Sequence, residues 1–232
     1  MRISRSKVEL YIECPRCFYL DVVFKKSRPS TFPLNLNYAI DTLIKREFDI
    51  YRERGIPHPL QKDGLSGFLP AKHNMLDIWR NVQKGGLAFD NLDHGCTYFG
   101  VIDDVWVNNN GQFAIVDYKS TAKHKPVLEI PEWATGYQRQ LSFYCYLLKK
   151  NGFSTYNKGF LVYSTALTGE SRFDDQLKFS TNIVTVDIEY DWIDSTLDSL
   201  QNTIHSKSIP EKSENCKYCN FIEQINSVTS FE

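Results

Sequence analysis

The stretch that decides the fold is Thr97-Tyr-Phe-Gly-Val-Ile-Asp-Asp-Val-Trp-Val-Asn-Asn-Asn-Gly-Gln-Phe-Ala-Ile-Val-Asp-Tyr-Lys-Ser120. Apolar residues recur every second position on either side of an Asn/Gly-rich break, the period of two half-buried strands. The first strand is expected over Thr97 to Val107, with Phe99, Val101, Asp103, Val105 and Val107 on one face. The second runs from Phe113 to Lys119, with Phe113, Ile115, Asp117 and Lys119 set against Ala114, Val116 and Tyr118. A three-residue loop, 109 to 111, in which Gly111 supplies the positive φ, pairs Asn108 with Gln112 and sets Asp103 opposite Asp117. Residues so paired have Cβ atoms about 5 Å apart.

Asp103, Asp117 and Lys119 then share a face that is otherwise apolar. Two carboxylates held this close repel unless a cation lies between them or one takes a proton, and an all-oxygen set is what a hard ion such as Mg²⁺ prefers. A neighbouring lysine can orient or deprotonate a water and stabilise developing negative charge. The set suits metal-assisted hydrolysis of a phosphodiester. On spacing alone, a structural ion pair between Asp117 and Lys119 at a sheet edge fits equally. Asp104 is the adjacent alternative to Asp103, but alternation turns it to the opposite face.

Outward from the hairpin the period becomes helical. Ser6, answered by Glu9, reads as a capping box opening a helix that stops before Pro15. Ile40, Leu43, Ile44, Phe48 and Tyr51 mark an amphipathic helix from Asn37 to Gly55, with Asp41, Lys45, Arg46 and Asp49 between them. A loop covers His58 to Gly67, and a shorter helix is expected over Ala71 to Gln83. Beyond the hairpin a helix is expected from Pro131 through Trp133, Tyr137, Leu141, Tyr144 and Leu148. Strands follow at Lys158 to Ser164 and Ile183 to Glu189, then a helix from Asp191. This order predicts an α/β or α+β layer architecture with a mixed sheet, in one domain covering 1–232.

The 232 residues are 42% hydrophobic and 24% charged, enough for a sizeable core and against disorder. No run approaches a membrane span, and the basic N-terminus lacks the apolar stretch of an export signal, so a cytoplasmic location without membrane attachment is expected. Six cysteines then need explaining, and four form two Cys-x-x-Cys pairs, Cys14/Cys17 and Cys216/Cys219. A redox pair is the competing reading for either half alone; two pairs in one such chain favour a single four-thiolate metal site. Cys96 and Cys145 read as small buried hydrophobes, and the five histidines as surface or loop residues.

Gly100-Val-Ile-Asp103, the hairpin, Val116-Asp-Tyr-Lys-Ser120 and Gln140-x-x-x-Tyr144 on the following helix together resemble the PD-(D/E)XK nuclease superfamily. Within it the sequence is most similar to the RecB-like branch that includes CRISPR-associated exonucleases, which also opens with a helix ending in Cys-Pro. The resemblance implies a restriction-endonuclease-like core, a mixed sheet flanked by helices, with the two chain ends joined at the cysteines. It implies that Asp103, Asp117 and the Tyr118 carbonyl ligate Mg²⁺ or Mn²⁺, that Lys119 positions or activates water, and that Gln140 and Tyr144 hold the nucleic-acid strand. The implied activity is that of a DNA exonuclease in repair, recombination or CRISPR adaptation. Its partners would be DNA, as single strands or strand ends, and a helicase or adaptation protein, since no ATP-binding motif is present.

Two departures stand out. Many relatives carry a histidine ligand on the helix before the hairpin, where this chain has Asp41; either an oxygen ligand or a solvated helix charge fits there. Relatives with a 4Fe-4S cluster commonly supply one cysteine from the N-terminal segment and three from the C-terminal one, whereas this chain offers two and two. Four thiolates can hold such a cluster or a zinc ion, and ligand count does not separate them; the resemblance implies the cluster, with structural zinc as the alternative. The net charge of −1 averages seven Lys/Arg against three acids over residues 1–30 with eight acids against two basic residues over 170–200. The basic end, with Lys123, Lys125 and Arg139, and with Tyr11, Phe18 and Tyr19 for stacking, could track a strand. The rival classes are a non-catalytic DNA-binding or assembly module that keeps the fold, and a zinc-stabilised protein-interaction domain.

Overall fold

A computed structural model of the protein describes residues 1–30, 35–62, 64–130 and 135–229. The first half carries β1 (Arg2–Ser4), α1 (Arg5–Glu13), α2 (Pro15–Val22), α3 (Asn35–Arg54), β2 (Phe68–Pro70), α4 (Leu76–Trp79), β3 (Leu87–Asn91), β4 (Cys96–Gly100) and β5 (Asp104–Asn108). The second carries β6 (Phe113–Lys123), α5 (Thr135–Lys150), β7 (Lys158–Leu167), β8 (Phe179–Asp187), α6 (Ile193–His205) and α7 (Lys217–Thr229). The chain divides into two compact units, both discontinuous: residues 1–32, 90–98 and 191–232, and residues 33–89 and 99–190.

The second unit holds a five-stranded sheet of order β2-β5-β6-β7-β8. β6 and β7 are parallel with α5 as their crossover, and the other neighbours are antiparallel, so the sheet is mixed. β7 is buried along almost its whole length and reads as a near-continuous apolar run, the composition a strand covered on both faces requires. One face packs under α3 through Phe48, whose ring lies 5.5 Å from those of Trp106 and Tyr118. Asp117 and Ile115 lie on the other, where α5 covers the sheet and Leu141 is fully buried.

The hairpin keeps the register expected from its loop. Asp104 pairs with Val116 and Val107 with Phe113, and the Asn108 N–H donates to the Gln112 carbonyl at 3.0 Å. Gly111 has φ +73°, a left-handed conformation that favours glycine. The long first strand, however, is interrupted. The ladder ends at Asp104, and the Ile102 N–H donates instead to the Trp79 carbonyl at 3.1 Å. Gly100 lies under the ring of Tyr144, so a Cβ there would sit 2.8 Å from Cδ1 and closer still to Cε1. The chain bends away after this contact, and β4 belongs to a different sheet from β5.

Other expectations are corrected. The helix over 71–83 shrinks to the single turn of α4, because the Ala71 N–H pairs with the Val105 carbonyl at 2.9 Å and the Asn81 side chain accepts from the Gln83 N–H at 2.8 Å. Such local bonds compete with helix formation. The first helix is entered at Ser4, without a side-chain cap; Ser6 bonds Ser4 and Glu9 pairs with Arg5 at 3.2 Å, so no capping box forms. Pro15 does not merely end α1 but begins α2, where its fixed φ suits the first helical position. Cys14 serves both helices as cap. α7 was not expected. Pro131 and Trp133 lie outside the described residues. His58 lies in a loop, as expected, but is buried rather than at the surface, stacked on Phe48 at 4.1 Å with Nε2 2.9 Å from Glu47.

Candidate active site

The register of β5 and β6 brings Asp103 beside Asp117, within hydrogen-bonding reach when one of them is protonated. Asp103 stands one residue before the β5 ladder, half-buried, and its Oδ2 accepts from the Tyr118 N–H at 3.0 Å. Its Oδ1 accepts from Lys45 Nζ at 2.8 Å, and the same ammonium donates to Asp41 Oδ2 at 2.9 Å. Lys45 thus holds two of the expected oxygen ligands on one cation. Sequence reading did not single it out; the usable signal is its place one turn after Asp41 on α3.

Asp117 is the most deeply placed of the set. Its Oδ1 accepts from Gln140 Nε2 at 2.7 Å. Its Oδ2 is buried and lies against the Lys119 ammonium as an ion pair, in a geometry that is not a hydrogen bond. Gln140 Oε1 accepts from Lys119 Nζ at 3.4 Å and its Nε2 donates to the Tyr144 hydroxyl at 3.5 Å, and Lys119 Nζ lies 5.0 Å from the centre of the Tyr137 ring. Tyr137, Gln140 and Tyr144 repeat at helical spacing along α5, which is why one helix face supplies all three. Asp41, Tyr118, Lys119 and Tyr137 line a cleft of about 370 Å³.

Burial pushes the Asp117 carboxyl up to about 6; Lys119 opposes the shift and Asp103 adds to it. Burial likewise raises Asp41, against the bond from Lys45. Lys45 loses basicity to burial but regains more from Asp103 and Asp41, and is raised. For Asp117 the folded-state value exceeds the ordinary 3.8, so its contribution to stability is complete below pH 4 and lost as pH rises through 6. In protein without added divalent ion, Asp117→Asn is expected to gain stability relative to the parent as pH is raised from about 4 to 7. Urea titrations at several pH values measure it, and a difference constant across that range contradicts the assignment.

Asp104 lies on the opposite face and is fully buried. Its carboxylate meets Arg52 at 2.6 Å and Arg80 at 2.8 Å, and accepts from the Tyr118 hydroxyl at 2.6 Å and the Val105 N–H at 2.7 Å. Burial and Asp104 hold the Tyr118 hydroxyl well above its ordinary value. Arg80 also donates to the Asp103 carbonyl at 2.7 Å. The network behind the sheet therefore grips the backbone of Asp103 and the ring of Tyr118. Neither arginine was singled out from sequence, where no short spacing links them to the hairpin.

In the first unit Cys14, Cys17, Cys216 and Cys219 are buried together, their sulfurs all within 4.8 Å of one another, a set that could hold a metal ion. Cys96 and Cys145 are buried, and each sulfur has a polar neighbour, Gln201 at 3.0 Å and Tyr190 at 3.1 Å. Of the aromatic residues expected to stack on bases, Phe18 and Tyr19 are buried in the core, and Tyr11 is half-buried with its ring edge on Phe18. Much of the N-terminal positive charge is paired: Lys7 with Asp21, Arg16 with Glu211 and Glu223, Arg28 with Glu13. Lys123 and Lys125 are exposed. No helix among the described residues is long and apolar enough to cross a membrane.

No curated protein matches the sequence. Among solved structures, the chain titled "Crystal structure of SSO0001" is similar at 18% identity, covering 96% of this chain and 84% of that one, with a TM-score of 0.37. At that score the likeness carries no weight for fold or chemistry. The family model described as PD-(D/E)XK nuclease superfamily matches residues 54–224, which include Asp103, Asp117, Lys119, Gln140 and Tyr144 and leave Asp41 outside. With most of the chain inside that match, the protein belongs to the PD-(D/E)XK nuclease superfamily.

Proposed function

We propose that the protein is a divalent-metal-dependent nuclease that hydrolyses DNA phosphodiester bonds from strand ends. The observation that carries the reading is a buried carboxylate, Asp117, set between Asp103 and Lys119, with one oxygen ordered by Gln140 and the other ion-paired with Lys119. Three carboxylates, Asp41, Asp103 and Asp117, share the two ammonium groups of Lys45 and Lys119, so the set is one positive charge short. Lys45 already stands as a cation between Asp41 and Asp103, which supports the donor set as one that takes a hard ion.

Asp103, Asp117, the Tyr118 carbonyl and Asp41 would hold Mg²⁺ or Mn²⁺, which supplies Lewis acidity at the phosphoryl group and lowers the pKa of a bound water. Lys119 orients the attacking water through its Nζ ammonium and offsets charge building on the phosphoryl oxygens. Gln140 holds the Asp117 carboxylate in one orientation, while Tyr144, expected to hold the strand, is buried with its ring over Gly100 and backs Gln140 from inside the fold. Arg80, bonded to the Asp103 carbonyl, keeps that residue from swinging away.

Within the superfamily we assign the chain to the RecB-like branch, acting in DNA repair, recombination or CRISPR adaptation beside a separate helicase or adaptation protein. The support is the ordered set Gly100, Asp103, Asp117, Lys119, Gln140, Tyr144 and the cysteines framing it. Incubation with Mg²⁺ or Mn²⁺ is expected to shorten linear single- and double-stranded DNA and to leave a closed circle intact. Cutting of the circle as fast as the linear form overturns the end dependence. Salt-sensitive DNA binding with no cleavage under any divalent ion overturns the enzymatic reading in favour of a binding module.

A further inference from the structure

The resemblance to RecB-like proteins carries with it a 4Fe-4S cluster, and the cysteine geometry of this chain does not fit one. In such a cluster each thiolate sits on a different iron at alternate corners of a cube, which spreads the ligand sulfurs roughly 6 Å apart. A 2Fe-2S cluster spreads its two ligand pairs by a similar amount. Here the sulfurs contributed from opposite ends of the chain are the close ones: Cys17 to Cys216 and Cys17 to Cys219 at 3.5 Å, and Cys14 to Cys219 at 3.9 Å. All four lie within 4.8 Å of one another. A single tetrahedral ion bound at about 2.3 Å by four sulfurs places them about 3.8 Å apart, the edge of the tetrahedron. A disulfide needs about 2.05 Å, which the close pairs do not approach.

We propose that Cys14, Cys17, Cys216 and Cys219 bind one zinc ion, in place of the iron-sulfur cluster of the resembling proteins. Burial argues the same way as distance. The four residues are between 0 and 6% exposed, with Leu10 packed against them, so spreading the sulfurs to cluster spacing means opening a closed shell. The two-plus-two division of ligands, Cys-x-x-Cys at each end, is also the usual arrangement of a four-cysteine zinc site. Four thiolates and one zinc ion leave two negative charges. The Arg28 guanidinium lies 3.6 Å from the Cys216 sulfur and stacks over the Tyr218 ring at 4.6 Å, a cation placed to offset part of that charge. Zinc has no redox chemistry in such a site, so its work is to join the start of α2 to the start of α7.

The test is the metal content of the whole protein purified anaerobically. The expected result is a colourless protein with about one zinc per chain and no acid-labile sulfide. Cobalt exchanged into it should give the visible absorption of a tetrahedral thiolate site. A brown preparation with iron and sulfide, iron without sulfide, or metal-free thiols would each overturn the proposal. Zinc should persist in Asp117→Asn, which separates this site from the carboxylates, and should be lost in Cys219→Ser. If Cys219→Ser does not fold, cobalt exchange into the parent decides the question. A protein that holds zinc but does not cut DNA would leave this inference standing and remove only the nuclease reading.

Discussion

Asp117→Asn is expected to lower DNA cleavage at least about a thousandfold with the fold intact, because it removes both a proposed metal ligand and the partner that orders Lys119 and Gln140. The substitution keeps the shape of the side chain and adds a donor where Oδ2 faces the Lys119 ammonium. Circular dichroism and retained zinc should therefore match the parent. Lys119→Ala is expected to cost roughly a hundredfold or more, since the water is then left without its positioning cation. Gln140→Ala, which releases one oxygen of Asp117 without removing a ligand, should cost about ten- to a hundredfold. Rates are to be compared on linear DNA in saturating Mn²⁺ and again in Mg²⁺. Activity that survives both Asp117→Asn and Lys119→Ala means that hydrolysis, if present, occurs elsewhere.

The largest effect on stability is expected one residue from the site. Asp104→Ala leaves Arg52 and Arg80 buried with their main counter-ion gone and strips the Tyr118 hydroxyl of its acceptor, and breaking a buried pair in this way costs about 3–5 kcal/mol. Asp49, which Arg80 and Arg52 hold below its ordinary value against the effect of burial, offsets only part of that charge. The neighbouring Asp103→Asn should behave oppositely. Its side chain is partly solvated, so the change should cost little stability but most of the cleavage activity. Urea unfolding of the two variants beside the parent measures the contrast. An Asp104→Ala protein within about 1 kcal/mol of the parent would show that the network behind the sheet is not what holds it.

The division between these two adjacent aspartates shows how far sequence reading reached. Strict alternation was enough to turn Asp103 and Asp104 to opposite faces, because side-chain direction along a strand is a local property. The hairpin register was legible for the same reason: loop length and the φ of Gly111 are set by neighbouring residues. The cysteines could be grouped because their spacing is a chemical signature. The break after Gly100 was not legible, since the groups found there, the Tyr144 ring over Gly100 and the Trp79 carbonyl on the Ile102 N–H, come from other elements. Nor were the burial of His58 and the loss of the 71–83 helix, where tertiary partners and short side-chain bonds outweigh helical period.

By itself, then, the sequence determined the mixed sheet, the hairpin that sets Asp103 toward Asp117, and the four cysteines that belong together. Only the tertiary structure decided that Lys45 bridges Asp41 and Asp103, that Asp104 anchors two buried arginines, and that the four sulfurs stand at the spacing of a single ion. The physical reason is that residue order dictates local geometry. The solvation of a charge, and the distance between groups two hundred residues apart, exist only once the chain has packed.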